Sequence, residues 1–174
     1  MAITAVLAQQ RILTENSNEA KLLYDQHVFG ALLADGRLQL SNFEALYLLD
    51  TEKLKLVNSK SVSITREQFV KQVTKGHVQF WTAYAVYHDL RVRGYVVKTA
   101  LKFGADFRVY DRGIKSGQDH ARWVVFAVDE STRMTWHDFA AKNRVAHSTK
   151  KKLLIAIVDD EGDVSYWDCG WIKP

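Results

Sequence analysis

The pattern of apolar and polar residues changes character near residue 80. Before it, short apolar runs alternate with helix-start signals. The run "AVLAQQRILT" fits a strand or a hairpin, and "LADGRLQLS" holds the turn pair Asp35-Gly36 between alternating residues. Ser17 stands as a cap ahead of the helix formers "NEAKLLYDQH". Ser41 with Glu44, and Thr65 with Gln68, have capping-box spacing and predict helices over "NFEALYLLD" and "REQFVKQVTK". The longest helical pattern covers 77–93, with Val78, Trp81, Tyr84, Ala85 and Leu90 at roughly helical spacing and Gly94 placed to stop it.

Beyond Gly94 the chain reads as strands. "YVVKTALKF", "DFRVYDR", "ARWVVFAVD", "KKLLIAIVD" and "DVSYWDCGWI" are rich in β-branched and aromatic residues. Between the third and fourth runs, "TWHDFAAKNRVAHST" has Thr135 as a cap and a helical middle. The expected fold class is therefore α+β. A small N-terminal α/β unit over 1–79 precedes a C-terminal mixed sheet over 80–174, flanked by helices.

Composition narrows the chemistry. Apolar residues make up 47% of 174, enough for a true core, and the formal net charge of +4 is compatible with a nucleic-acid partner without requiring one. One cysteine, Cys169, excludes an internal disulfide and a cysteine-based zinc site. The opening "MAITAVLAQQRILT" lacks a basic leader and is broken by Gln9, Gln10 and Arg11, so the expectation is a cytoplasmic chain without a membrane span. No phosphate-binding G-x-x-x-x-G-K-[ST], G-x-S-x-G or H-E-x-x-H motif occurs, and "DDEGD" at 159–163 lacks calcium-loop spacing. That segment reads as an acidic turn between strands, or as a docking element for a basic partner.

Three positions stand out. Lys150, Lys151 and Lys152 lead directly into "LLIAIV". A lysine run is ordinarily a solvated face. If it were extended here, Lys151 would point opposite to its two neighbours. His120 follows the glycine-containing "SGQD" and precedes a strand, a loop end of the kind that carries function. Tyr110 closes "DFRVY" on the same side as Arg108, opposite Phe107 and Val109. Taken singly, each has an ordinary structural role as its alternative: a wet strand end, a surface imidazole, an amphipathic strand residue.

The runs "RGYVVKT", "FGADFRVY" and "RVAHSTKKK", in that order, resemble the archaeal tRNA-splicing endonuclease family over nearly all of residues 85–174, and "FEALYLL" fits its small N-terminal unit. The resemblance implies a catalytic subunit that cleaves precursor tRNA at bulge–helix–bulge junctions without metal or cofactor. Its products carry 2′,3′-cyclic phosphate and 5′-hydroxyl ends. The family's tyrosine falls on Tyr110, its histidine on His120 and its lysine on Lys151. A phenol ordinarily titrates near 10, and a nearby cation favours the phenolate, so Tyr110 would be the base beside Lys151. His120 would be the acid, and Lys151 would carry the charge on the phosphoryl oxygens.

The resemblance also implies that Arg144, seven residues before Lys151, stacks on a bulge base, with Trp167 or Tyr166 of the last strand opposite; Trp167 is the preferred of the two. Asp159, Asp160, Glu161 and Asp163 would insert into a neighbouring subunit. A homotetramer, or a heterotetramer with a non-catalytic sister subunit, is implied, and the absence of a lysine-containing insertion in the first unit points toward the homotetramer. Two rivals remain from the residues alone. One is a non-catalytic RNA-binding subunit. The other is a metal-dependent nuclease on the same restriction-endonuclease-like sheet, using carboxylates such as Asp106.

Overall fold

The structure is a computed structural model that describes residues 2–114 and 120–172. Among these, the chain divides into two compact units, 2–78 and 79–114 with 120–172. It is a mixed α+β architecture with one five-stranded sheet in each unit.

In the first unit β1 (Ile3–Ala8), β2 (Arg11–Thr14), β3 (Ala31–Leu32), β4 (Leu38–Leu40) and β5 (Leu54–Asn58) form a sheet in the order β3-β4-β2-β1-β5. The run containing Gln9-Gln10 is a hairpin. Both glutamines have positive φ, 49° and 65°, the backbone of a two-residue turn that asparagine and glycine ordinarily supply. α1 (Asn18–His27), α2 (Asn42–Asp50) and α3 (Arg66–Val73) begin at Ser17, Ser41 and Thr65, and the last two close full capping boxes. The α2 box does more than cap. Glu44 is buried; its Oε2 accepts from Ser41 N and its Oε1 accepts from Gly30 N, both at 2.8 Å, so one carboxylate ties the helix start to the chain ahead of β3.

The second unit opens with α4 (Phe80–Val92). Its buried face is Phe80, Ala83, Tyr84, Val86, Tyr87 and Leu90. The sequence expectation placed the start at 77 and the apolar stripe through Val78 and Trp81. Val78 is instead fully exposed and Trp81 half exposed. Phe80 and Tyr84, one turn apart, win the core position because they continue the stripe that Tyr87 and Leu90 define. α4 ends in a Schellman motif: Gly94 takes φ 88°, Gly94 N donates to Arg91 O, and Tyr95 N donates to Leu90 O.

β6 (Val96–Thr99), β7 (Phe107–Tyr110), β8 (Trp123–Asp129), β9 (Lys152–Val158) and β10 (Val164–Cys169) form the second sheet in the order β10-β9-β8-β7-β6. β8 and β9 are parallel and the other pairs antiparallel. A parallel pair needs a crossover, and α5 (Trp136–Ser148) supplies it. Thr135 caps α5, as the sequence predicts, and also exchanges hydrogen bonds with Asp138, a capping box not singled out by sequence.

α4 and α5 cover opposite faces. Tyr87 of α4 packs on Phe107, ring centroids 5.8 Å apart, on the side that carries Val97, Val109 and Val125. Ala146 of α5 joins Val124, Phe126, Leu153 and Ile155 on the other. Burying each such aromatic or branched side chain contributes about 1.5–3 kcal/mol before entropy is counted.

Candidate active site

The register of the second sheet gathers the chemistry at one end. Val109 of β7 pairs with Trp123 of β8, and Arg122 N donates to Val109 O at 2.8 Å. One position outward, Tyr110 and Arg122 stand in the same row. Trp123 pairs with Lys152 of β9, and Lys152 N donates to Arg122 O at 2.9 Å. Lys151 therefore continues that row. With about 4.8 Å between strands, the Cα atoms of Tyr110 and Lys151 lie roughly 10 Å apart. His120 precedes Arg122 by two residues and is exposed. The glycine placed before it in the sequence, Gly117, lies outside the described residues.

By alternation Tyr110, Arg122 and Lys151 fall on the α5 side. Arg108 and Tyr110 share the face of Val124, while Phe107 and Val109 point into the α4 core. Tyr110 is half-buried at the last position of β7.

The lysine triplet is not an extended run. Lys150 takes the left-handed backbone, φ 55°, and closes α5 with the same hydrogen bonds that Gly94 makes after α4: Lys150 N to His147 O and Lys151 N to Ala146 O. The alternation expected across the three lysines therefore fails at Lys150, and the strand begins only at Lys152. Lys152 pairs its ammonium with Asp168 of β10 at 3.2 Å. Lys151 is half-buried and donates from Nζ to Thr149 O at 3.0 Å, at the carbonyl end of α5, where a cation is favoured. The structure thus distinguishes Lys151 from its neighbours by helix geometry rather than by strand alternation.

A β-carbon in the left-handed region costs about 1–2 kcal/mol, part of which glycine returns as chain entropy. Lys150→Gly is accordingly expected to stabilise the second unit by about 0.5–1 kcal/mol. A higher urea midpoint with an unchanged slope would show it; an unchanged midpoint would mean the lysine carries no strain.

Arg122 was not singled out by sequence, yet it occupies the centre of the row. It pairs with Asp111 at 3.1 Å, and its guanidinium carbon lies 4.4 Å from the Trp123 ring centroid. Only the strand register reveals its position.

Arg144 is exposed on α5 and lines a groove with Phe139, Ala140, Asn143, His147 and Trp171. Trp171 meets the His147 ring at 4.4 Å, nearly edge-on. Of the planar groups suggested opposite Arg144, Tyr166 turns to the α4 side and donates its hydroxyl to Asp89 at 2.7 Å. Burial and that hydrogen bond push its phenol well above the ordinary range, which also separates it chemically from a general base. Trp167 pairs with Ile155, on the α5 side, and is 60% exposed, but the tryptophan lining the Arg144 groove is Trp171. Period-two continuation from Trp167 through Cys169 was the signal for it.

The acidic segment is the β9–β10 turn. Asp159 Oδ1 accepts from Glu161 N at 3.0 Å and Asp163 N at 2.9 Å, so one oxygen of its carboxylate holds the turn itself. Asp160, Glu161 and Asp163 are exposed. Asp106 accepts from Ala127 N at 2.9 Å and so braces β8 from the side of β7. Among the described residues no group of three or more His, Cys, Asp or Glu is gathered as metal ligands, and no helix is long and apolar enough to cross a membrane.

Comparison with known proteins places both units. Residues 3–70 match the tRNA intron endonuclease N-terminal domain, and residues 80–166 match its catalytic C-terminal domain. A tRNA-splicing endonuclease of Methanothermobacter thermautotrophicus is 37% identical over 174 residues, covering all of both chains. One of Thermococcus onnurineus is 38% identical over 167 residues, 96% of this chain and 95% of its own. One of Nanoarchaeum equitans is 38% identical over 154 residues, 85% of this chain and 98% of its own.

Proposed function

The chain belongs to the tRNA intron endonuclease family, and from that membership we propose that it cleaves precursor tRNA at the bulge–helix–bulge junctions between exon and intron, with Tyr110, His120 and Lys151 as its catalytic residues. The observation that supports this reading is the register: β7, β8 and β9 are neighbours in the sheet, extending it one position outward sets Tyr110, Arg122 and Lys151 in one row, and His120 precedes Arg122 by two residues.

The reaction uses the RNA's own 2′-hydroxyl. Tyr110, as phenolate, takes the 2′-hydroxyl proton. The 2′ oxygen forms a bond to phosphorus as the bond from phosphorus to the 5′ oxygen breaks, and His120 delivers a proton to that leaving oxygen. Lys151 faces the phosphoryl oxygens, whose negative charge grows in the transition state. To do so its ammonium exchanges the Thr149 carbonyl for phosphate, a stronger acceptor. The products are a 2′,3′-cyclic phosphate and a 5′-hydroxyl, and the steps need no metal ion. The purified chain, incubated with a bulge–helix–bulge RNA in excess chelator, is the test. Cleavage with cyclic phosphate ends supports the assignment. Cleavage that stops with chelator and returns with magnesium refutes the mechanism.

Arg144 holds a bulge base by stacking, and Trp171 is the planar group that the groove sets beside it; stacking of this kind tolerates any base sequence. Arg144→Ala and Trp171→Ala are each expected to raise KM about tenfold or more, from roughly 1–3 kcal/mol per stacked base. Cleavage of a bulged substrate with unaltered KM in both variants would remove the groove from substrate binding.

One catalytic row per chain, against two junctions per intron, calls for more than one copy. A homotetramer working in the cytoplasm is the assembly proposed, with Asp160, Glu161 and Asp163 reaching a basic surface of a neighbouring copy and Asp159 holding their turn. Neutralising those three residues is expected to lower the mass measured by sedimentation. A mass that stays at four chains would show that the turn is not a docking element.

A further inference from the structure

Among the described residues, Arg108 of the second sheet has a buried nitrogen with no hydrogen-bond partner. Arg108 lies on β7, two residues before Tyr110 and on the same face, roughly 7 Å along the strand. It is half-buried, and its Nε is fully buried with no hydrogen-bond acceptor. Among the described residues no ion pair involves its guanidinium. Opposite it on β6 stands a second half-buried cation, Lys98. A buried donor without an acceptor carries its full desolvation cost. The carboxylate on the same side of β7, Asp106, gives one oxygen to Ala127 N. α5 packs on β8 and β9, and Arg108 is one strand beyond them.

We propose that Arg108, with Lys98 beside it, forms a phosphate-binding subsite that takes the RNA phosphate adjoining the scissile one. The proposal rests on the nuclease reading above. A phosphate supplies an anionic acceptor for the planar guanidinium of Arg108. Position selects RNA over a protein carboxylate as the occupant. Arg108 and Tyr110 share one strand and one face, so an RNA strand with a phosphate at Tyr110 runs its next phosphate past Arg108. The exposed acidic turn of the chain lies between β9 and β10, at the other end of β9 from Lys151. Arg108 is on this view a binding residue whose contact holds the substrate in register with the catalytic row.

The test is a cycle between protein and RNA. Arg108→Met removes the charge at similar volume, and a neutral methylphosphonate replaces the phosphate on either side of the cleavage junction. The expected results are a roughly 10–100-fold loss of kcat/KM for Arg108→Met, a similar loss for the wild-type chain on one of the two modified RNAs, and little further loss when the two are combined. Arg108→Lys should recover part of the loss. Losses that multiply, or full turnover by Arg108→Met, would overturn the subsite. If Arg108→Met fails to fold, the wild-type chain still decides, because indifference to both modified RNAs overturns it equally. A lower solution mass for Arg108→Met with unaltered KM would assign the site to a neighbouring protein and overturn it as well. A wild-type chain that leaves the unmodified RNA intact refutes the nuclease reading itself and takes the subsite with it.

Discussion

His120→Ala is expected to lower the single-turnover cleavage rate about 100- to 10,000-fold, the range that general acid–base catalysis ordinarily spans. RNA binding and folding should persist. His120 is exposed and stands ahead of β8, and the core of the second unit is built by Val124, Phe126, Leu153 and Ile155 without it. An acid acts only where a leaving group is poor. An RNA with a 5′-thio leaving group, which departs without a proton, should therefore restore much of the rate to the variant. A variant that cleaves the natural RNA at the wild-type rate would remove His120 from the site. A variant that stays inactive on the thio substrate would keep it there in some role other than acid.

Lys151→Ala is expected to cost about 100–1,000-fold in kcat, by analogy with the loss of one preorganised donor at a developing anion. The neighbouring lysines should not compensate. Lys150 sits in the left-handed turn that ends α5, and Lys152 is engaged with Asp168. Lys152→Ala removes an exposed ion pair of about 0–1 kcal/mol and should leave kcat nearly unchanged. The contrast between adjacent residues is the informative result. If both substitutions lower RNA affinity alike and neither lowers kcat, the triplet is a solvated basic patch and Lys151 has no part in the chemical step. Lys151→Arg should recover little, because a planar fork cannot occupy the position of a compact ammonium.

Much of the fold could be read locally. α5 spans the residues that its Thr135 cap predicts, and α2 and α3 begin at the capping boxes of Ser41 and Thr65. These are signals carried within a single turn of chain, so a sequence displays them directly. α4 was less legible. Val78, Trp81 and Phe80 are all apolar, and only packing against the sheet decides which of them is buried. The Gln9-Gln10 turn lacked the residues that ordinarily mark such a turn, so strand and hairpin could not be told apart.

The site divides in the same way. Tyr110, His120 and Lys151 were reached through a resemblance whose motifs are local runs. The row that holds Tyr110, Arg122 and Lys151 depends on strand order and register, which are properties of distant pairings. Arg122 therefore escaped notice, and Arg108 was read only as sharing a face with Tyr110, since each looks like an ordinary strand arginine until its neighbours across the sheet are known. Lys150 was misassigned for a different reason. Glycine is the usual residue at the end of a Schellman motif, and a lysine there conceals the helix end from a reader of sequence.

The most direct test is a crystal structure of the chain bound to a bulge–helix–bulge RNA that carries a 2′-deoxy nucleotide at the cleavage junction and so cannot react. The Tyr110 hydroxyl should lie within hydrogen-bond reach of the missing 2′ oxygen's position, His120 within reach of the 5′ oxygen, and the Lys151 ammonium on a non-bridging oxygen of the same phosphate, each at about 2.6–3.2 Å or through one water. A complex in which the three side chains contact different phosphates, or in which the junction phosphate lies away from the β7–β9 row, would contradict the assignment.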